Sequence, residues 1–439
     1  MELVTEIILI SVVLLLAALL RIIPHIRFPF PATPDTFFLL NKLKNIDYRE
    51  AEIRYPRFFT QLTLVAVSKE KLGDGRRLNE IAIMMDLFTA TIIFVFIRSY
   101  IGSEIAILTT LFFVTTPMVT KQGTTYAVRP FGLFLVSTSL LILLLPFPWN
   151  WLAAIPMAFI LLSHRLSTQT TFIISLGLFV IDYQIPVIFA VGFILAVILS
   201  KGDYLEVLKA HLNSIWHYWK HGHYPNRRML GMITMPTSFG YLAYIVLKLI
   251  QMASSDPVSV LSYRLPTLPT IDSYTETLMM IWGLICLGLL IFWVAGESYK
   301  HLPLAAVPFG MMTSLLTNTD ILFTIVSYAI LTTNIIGCLY FQISFEHVNE
   351  DFIEIVKTKK GLSRETLVLT PPNYDRALEF FTDYQSIIVY FDVWTREEFE
   401  DRALSRNPTL AVVKSGQVDW FVDWKRETEI GDWVLLSKA

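Results

Sequence analysis

Eleven hydrophobic runs constrain this chain more than any other feature of its sequence. A helical membrane span needs about 17–25 mostly apolar residues, and each run reaches that length or comes near it. The chain is therefore predicted to be an all-α polytopic membrane bundle of about 11 transmembrane helices. The runs cover residues 4–23, 81–99, 104–119, 131–147, 149–163, 170–182, 186–199, 229–250, 276–296, 302–317 and 320–344.

Composition supports the bilayer as the main solvent of the chain. Charged residues make up 16% of the sequence and the mean hydropathy is +0.55, whereas soluble domains carry about 25% charged residues. The N-terminus lacks a positively charged region before the first run and a small-residue cleavage site after it, so we expect a retained span rather than a signal peptide. No basic stripe of the kind that binds nucleic acid is present. Cys286 and Cys338 lie inside apolar runs, and their spacing predicts no metal site.

The charge balance changes after residue 345. Residues 346–439 hold 18 acidic and 12 basic residues, against 19 and 23 in residues 1–345. We predict a transmembrane domain over 1–345 and a small soluble α/β domain over 346–439. Its predicted strands are Leu367–Thr370, Ile387–Phe391, Leu410–Lys414, Val418–Trp424 and Trp433–Ser437, with a hairpin turn at Ser415-Gly416 and helices over Asn373–Phe381 and Arg396–Leu404. The loop 200–228 is predicted to be an amphipathic helix on the membrane surface.

The first loop, residues 24–80, carries the candidate active site. Asp35 lies a few residues beyond the first run, where a lipid-borne substrate can meet a water-borne one. Glu50 and Glu52 lie further along as possible accessory acids. Arginines that can hold a phosphate accompany them, namely Arg21, Arg27, Arg49, Arg54 and Arg57. The alternative is an interfacial loop whose charges are only solvated.

Other polar groups gather where apolar residues are expected. Asp86 interrupts the second run, and it is either an accessory functional carboxylate or one half of a structural pair with a neighbouring helix. Lys121 and Arg129 lie in the hydroxyl-rich segment 116–130, and His164 and Arg165 lie between the fifth and sixth runs. These cations are predicted to converge with Asp35 and stabilise a departing phosphate. The alternative is that each caps a helix end or meets a lipid phosphate.

In their order along residues 1–200, short motifs resemble the GT-C superfamily of membrane glycosyltransferases. They are Pro34-Asp35-Thr36-Phe37-Phe38, Tyr55-Pro56, Thr116-Pro117, Arg129-Pro130 and Ser163-His164-Arg165-Leu166-Ser167. The superfamily includes protein O-mannosyltransferases, aminoarabinose transferases and oligosaccharyltransferase catalytic subunits, which use polyprenyl-phosphate sugar donors. The resemblance implies that Asp35 is the catalytic or acceptor-activating carboxylate of the first external loop, although the second acidic residue often found beside it is Thr36 here.

A second departure from the superfamily concerns metals. Metal-dependent members carry an acidic pair where this chain has Lys121 and Arg129. We therefore predict no cofactor and favour phosphate binding by cations, while a divalent metal stays open. It also stays open whether the chain has kept the activity with the fold.

The hydrophobic runs predict an integral, multi-pass membrane protein, and the resemblance implies a cell-membrane glycosyltransferase with its active site on the extracytoplasmic side. It would move a sugar from a polyprenyl-phosphate donor to a hydroxyl of a glycan, lipid or protein acceptor, with Asp35 as the base. Two alternatives remain at this point. One is a membrane-anchored assembly protein without catalysis, and the other is a lipid transporter or flippase that uses Asp86, Asp320 and the break at 182–186.

Overall fold

The structure is a computed structural model that describes most of the chain. The described residues are 3–27, 36, 39–41, 75–221, 234–253, 268, 271–291, 298–317, 319–344, 348–359, 366–371, 374–382, 384–391 and 394–438. They divide into two compact units. The first holds residues 3–27 and 77–344, and the second holds residues 36, 39–41, 75–76 and the described residues from 348 onward.

The first unit is built from helices. They are α1 Leu3–Arg27, α2 Gly75–Tyr100, α3 Ser103–Thr115, α4 Pro117–Gly123, α5 Val128–Ile142, α6 Ala154–Ser163, α7 Arg165–Leu178, α8 Gln184–Leu199, α9 Tyr204–His221, α10 Thr237–Ala253, α11 Ser273–Ile291, α12 Ala306–Thr317 and α13 Ile321–Ile343. Short 3₁₀ segments, Trp149–Ala153 and Ser298–Ala305, precede α6 and α12. A helix thus forms in each of the predicted runs, because a helix pairs its own backbone groups without water.

Only some of these helices are long enough to cross a bilayer. Within the described ranges, four pass by length and composition: α1, α2 over Leu78–Tyr100, α11 over Ser273–Leu290, and α13. A fifth is added if the bent pair α3 and α4 counts as one span. The remaining apolar helices have 10–17 residues, so the predicted number of about 11 spans stays a prediction. The apolar faces of α1 and α13 are largely exposed, as lipid-facing surfaces are, and the chain is an integral membrane protein.

The run 104–119 does not form one straight helix. Thr116 adopts an extended backbone, with φ −67° and ψ 119°, and Pro117 opens the next helix. The residue before a proline is driven out of the helical region, while proline itself fits the first turn of a helix. α3 and α4 consequently meet at 66°.

The loop 200–228 is helical over α9, as predicted. Leu205, Leu212 and Trp216 are exposed along this helix, and their spacing puts them on one side. An amphipathic helix presents such a side to lipid. The predicted break at 182–186 lies at the start of α8, and residues 179–183 separate α7 from α8. The carboxylate of Asp182 accepts a hydrogen bond from the backbone N–H of Gln184 at 2.8 Å.

The second unit is a mixed five-stranded sheet with helices, as expected for a small α/β domain. The strands are β1 Leu367–Thr370, β2 Gln385–Ile388, β3 Leu410–Lys414, β4 Trp424–Ile430 and β5 Trp433–Lys438, and the helices are α14 Glu350–Lys357, α15 Asp375–Thr382 and α16 Arg396–Arg402. The sheet order is β2-β1-β3-β5-β4. β1 pairs in parallel with β2 and β3, while β5 pairs antiparallel with β3 and β4. Thr395 opens α16 with a complete capping box.

Two predictions in this unit are wrong. The predicted strand Val418–Trp424 starts as a 3₁₀ segment, Ser415–Trp420, and the hairpin turn lies at Gly431 and Asp432 instead of Ser415-Gly416. Trp420 and Phe421 both pack on the core residue Phe399, with ring centroids 5.4 Å away in each case. Adjacent side chains of a strand point to opposite faces, so a helical turn is needed to bring both rings to one cluster.

Residues of the first loop belong to this second unit. Thr36, Leu40 and Asn41 are buried there. The side-chain amide of Asn41 donates a hydrogen bond to the backbone carbonyl of Arg376 at 2.8 Å. The described part of the first loop is therefore anchored by a contact with a residue far along the chain.

Candidate active site

The cation-bearing segment 116–130 is folded over the buried end of α3. Thr116, Thr120 and Thr124 are buried along it, and their hydroxyls all bond to backbone carbonyls of the preceding turn. Such local bonding satisfies hydroxyls inside an apolar bundle. These threonine hydroxyls are therefore used within the segment, and its charged side chains are the candidates for binding an anion.

Lys121 and Arg129 occupy the two ends of this segment. Lys121 lies near the end of α4, and its ammonium is 5.5 Å from the ring centroid of Phe341 on α13. Arg129 lies in the first turn of α5 and is half-buried. Partly buried cations interact more strongly with an anion than fully solvated ones do, because water screens them less.

Two hydrogen bonds join this segment to the helices that flank the first loop. The imidazole Nε2 of His25, in the last turn of α1, lies 3.0 Å from the carbonyl of Thr124. The side-chain carbonyl of Asn79, near the start of α2, accepts a hydrogen bond from the backbone N–H of Tyr126 at 2.7 Å. The segment therefore lies at the end of the bundle where the first loop begins and ends.

His164 and Arg165 lie at the start of α7. His164 is the N-cap, and its Nδ1 accepts from the Ser167 backbone N–H and lies 2.8 Å from the Ser167 hydroxyl. Arg165 is the first residue of the helix. The N-terminal end of a helix carries partial positive charge and attracts anions, so both residues lie where an anion is favoured.

A glycine brings the start of α7 against α5. A Cβ atom built on Gly132 would lie 2.5 Å from the Ser167 hydroxyl and 2.7 Å from Nδ1 of His164. Gly132 follows Arg129 by three residues, which is the same side of a helix. The close approach therefore brings the N-terminal turns of α5 and α7, with Arg129, His164 and Arg165, to one region.

Asp86 is paired inside the bundle. Its Oδ2 accepts a hydrogen bond from Nε of Arg21 at 2.5 Å, and Nη2 of Arg21 makes a second close contact with the same oxygen. Both side chains are almost fully buried. Arg21 was expected among the loop cations, and that expectation is wrong. α1 continues through Pro24 to Arg27, so Arg21 lies within the helix.

Asp35, Glu50 and Glu52 lie outside the described residues, and their assigned roles stay predictions. The roles of Lys121, Arg129, His164 and Arg165 in phosphate binding and of Asp86 as an accessory residue also stay predictions. Among the described residues no three His, Cys, Asp or Glu side chains group as metal ligands would. Sequence reasoning missed His25 and Asn79, whose only signal is a polar residue beside an apolar run.

Solved structures share this architecture. ArnT from Cupriavidus metallidurans in the apo state aligns with a TM-score of 0.62 and 11% identity, covering 99% of this chain and 98% of that chain. The same ArnT bound to undecaprenyl phosphate gives a TM-score of 0.56 at 11% identity, covering 100% and 99%. Both ArnT and the archaeal oligosaccharyltransferases that also match are GT-C glycosyltransferases.

This chain has the GT-C fold.

The second kind of GT-C match is larger than this chain. The oligosaccharyltransferase AglB from Archaeoglobus fulgidus, in complex with an inhibitory peptide and a dolichol-phosphate, aligns with a TM-score of 0.55 and 13% identity. That alignment covers 93% of this chain and 70% of AglB. No protein-family model matches the sequence, and no curated protein matches it. The GT-C fold is therefore recognisable here in three dimensions at an identity of 11–13%.

Proposed function

We propose that this protein is an inverting glycosyltransferase of the cell membrane that takes its sugar from a polyprenyl-phosphate donor. The observation that carries the proposal is the attachment of the segment bearing Lys121 and Arg129 to both helices flanking the Asp35 loop. It occurs in a fold whose solved examples include ArnT bound to undecaprenyl phosphate and AglB in complex with a dolichol-phosphate. The site would face the extracytoplasmic side.

In the proposed reaction the carboxylate of Asp35 takes the proton of an acceptor hydroxyl. The hydroxyl oxygen forms a bond to the anomeric carbon of the sugar, and the bond from that carbon to the phosphate oxygen breaks with its electron pair. Polyprenyl phosphate leaves with the additional negative charge. Lys121, Arg129, His164 and Arg165 would hold that charge, as preorganised cations do in phosphate-leaving reactions.

The segment 116–130 suits an anion better than a divalent cation. It carries two cations and several hydroxyls but no carboxylate, whereas Mg²⁺ and Ca²⁺ prefer carboxylate oxygens. We accordingly propose a reaction that needs no divalent metal. The acceptor is a hydroxyl of a glycan, lipid or protein. Glu50 and Glu52 are the candidate accessory acids, and the ion-paired Asp86 is a candidate accessory residue.

Transfer from radiolabelled polyprenyl-phosphate sugars tests the proposal. Wild-type protein, Asp35→Asn and the control Asp401→Asn, which changes an exposed residue of the second unit, are compared with and without a chelator. We expect chelator-resistant transfer by the wild type and the control, and a loss of about 100-fold or more in Asp35→Asn, the scale of a general base.

The two parts of the proposal fail separately in this assay. Equal transfer by Asp35→Asn and wild type would remove Asp35 from the reaction. Transfer lost in the presence of the chelator would overturn the metal-free reaction while keeping the donor. The proposal that the protein is a glycosyltransferase would be contradicted if the wild type transferred no sugar from any donor to glycan, lipid or peptide acceptors.

A further inference from the structure

A buried ion pair joins the two helices that flank the first loop. Arg21 on α1 bonds to Asp86 on α2 through Nε, and its Nη1 donates to the carbonyl of Ala17 at 2.9 Å. Within the described part of the chain, the other carboxylate oxygen of Asp86 has no hydrogen-bond partner. All described polar contacts of the Asp86 side chain therefore pass through Oδ2, which fixes the geometry of the pair.

The last residue of α4 rests directly on this pair. A Cβ atom built on Gly123 would lie 2.3 Å from Oδ2 of Asp86 and 3.0 Å from Nε of Arg21. Real Cβ atoms do not approach so closely, so only glycine fits here without movement. The ion pair and α4 therefore determine each other's position, and Lys121 lies on α4 two residues before this contact.

Other helices hold the next residue from two sides. The side-chain amide of Gln342 on α13 donates to the hydroxyl of Thr124 at 2.7 Å, and His25 on α1 lies 3.0 Å from the Thr124 carbonyl. Hydrogen bonds thus tie the turn after α4 to α1 and α13, and Gly123 beside it lies against the ion pair between α1 and α2.

We propose that Arg21 and Asp86 are positioning residues for the anion-binding segment. Their ion pair keeps α4 and the following turn, and with them Lys121 and Arg129, at a set distance from the ends of α1 and α2. The ligand of that segment, a polyprenyl phosphate, rests on the proposed function, whereas the mechanical role does not. A misplacement of about 1 Å at a reacting site can cost about 100-fold in rate, so such positioning has catalytic value.

Hydrogen exchange of the turn tests the mechanical role without any activity. Asp86→Asn keeps the shape of the side chain but leaves Arg21 without its counter-charge. We expect the backbone amides of residues 120–126, including the Tyr126 amide bonded to Asn79, to exchange about tenfold faster, as local opening becomes easier.

The matched control removes an ion pair between the same two helices at their other end. Glu6 on α1 bonds to Arg98 on α2 at 2.7 Å, and the Glu6 side chain is 7% exposed. Glu6→Gln is expected to leave the exchange of residues 120–126 unchanged. Faster exchange in Glu6→Gln as well would mean general loosening of the bundle and would overturn the proposal.

A methyl group added at Gly123 provides a second variant that keeps both charges. Gly123→Ala must displace α4 or the pair, whereas Gly288→Ala adds a methyl group to α11 where no described atom lies within 4 Å. We expect Gly123→Ala to speed the same exchange and Gly288→Ala to leave it unchanged. If Asp86→Asn does not fold, the two glycine variants test the positioning role in its place.

Binding of undecaprenyl phosphate gives the functional measurement. We expect about tenfold weaker binding in Asp86→Asn and Gly123→Ala, and wild-type binding in both controls. Unchanged exchange in the two site variants would overturn the positioning role, whatever the binding. Faster exchange in those variants together with no binding by wild-type protein would support the positioning role and instead refute the proposed donor.

Discussion

Replacing the Arg21–Asp86 pair one residue at a time, and then both together, should give opposite effects on stability. The single variants Asp86→Leu and Arg21→Met each leave one buried charge without its partner. The double variant removes both charges and keeps side chains of useful volume. Breaking a buried pair is costly, whereas replacing the whole pair by apolar side chains is often neutral or stabilising.

The structure sets the size of the effect. The Arg21 and Asp86 side chains are each 1% exposed, and Nε and Oδ2 are 2.5 Å apart. Two unit charges at about 4 Å attract by about 4 kcal/mol at an effective dielectric constant of about 20. We therefore expect each single variant to lose about 3–5 kcal/mol of unfolding free energy and the double variant to stay within about 1–2 kcal/mol of wild type.

Equilibrium unfolding by SDS titration in mixed micelles, followed by tryptophan fluorescence, measures these free energies. Glu6→Gln is the comparison, because it removes an α1–α2 ion pair that is less deeply buried: the Arg98 side chain of that pair is 43% exposed. Its loss of unfolding free energy shows what such a pair contributes. A single-variant loss below about 1 kcal/mol would refute the buried-pair argument, because that is the value of a solvated surface pair. A double variant as unstable as the single variants would show that the loss of stability does not come from an unpaired buried charge.

Three further predictions concern charged and polar groups in each of the two units. Burial raises the pKa of the Asp375 carboxyl group, so this group stays protonated to a higher pH in the folded state than in the unfolded chain. The unfolding free energy should therefore fall as the pH rises from about 3.9, the unfolded pKa, through the folded pKa. Asp375→Asn should remove that fall in a fluorescence titration. Lys121→Met and Arg129→Met should each weaken undecaprenyl phosphate binding by about 10- to 150-fold, from about 1.5–3 kcal/mol per charged bond, with the exposed Lys209→Met unchanged. Asn41→Ala should speed amide exchange at residues 39–41 about fivefold by removing one buried hydrogen bond.

Hydropathy located the helices of the membrane unit but not their roles. The run 302–317 contains α12, whose residues are buried from Ala306 to Leu316, so protein surrounds it rather than lipid. A short apolar run in the core of a bundle and a short membrane span have the same composition, so periodicity does not separate them. The bend at Thr116 was available from the sequence, because a proline within an apolar run marks a probable break.

The partner of Asp86 was beyond the reach of the sequence. Arg21 precedes it by 65 residues, and no local spacing connects the two. The first apolar run ends just before Pro24, and Arg21, close to that end, was grouped with the cations of the loop. Proline disturbs a helix by removing one hydrogen bond, and in a membrane helix neighbouring helices can satisfy the freed carbonyl. The sequence predicts Arg129 and His164 at helix ends. It does not predict that the two helices come close together, because that contact depends on Gly132 having no Cβ atom.

The bond between Asn41 and Arg376 has a consequence for biosynthesis. Its two residues are 335 positions apart. At about 5–20 residues per second, a ribosome needs roughly 17 to 67 s to reach the second after making the first. During that interval the membrane helices between Asn41 and Arg376 are synthesised, and Asn41 lacks its hydrogen-bond acceptor. Nascent chains that stop before Arg376 lack this contact, so the described part of the first loop becomes attached only after the membrane helices between the two residues have been made.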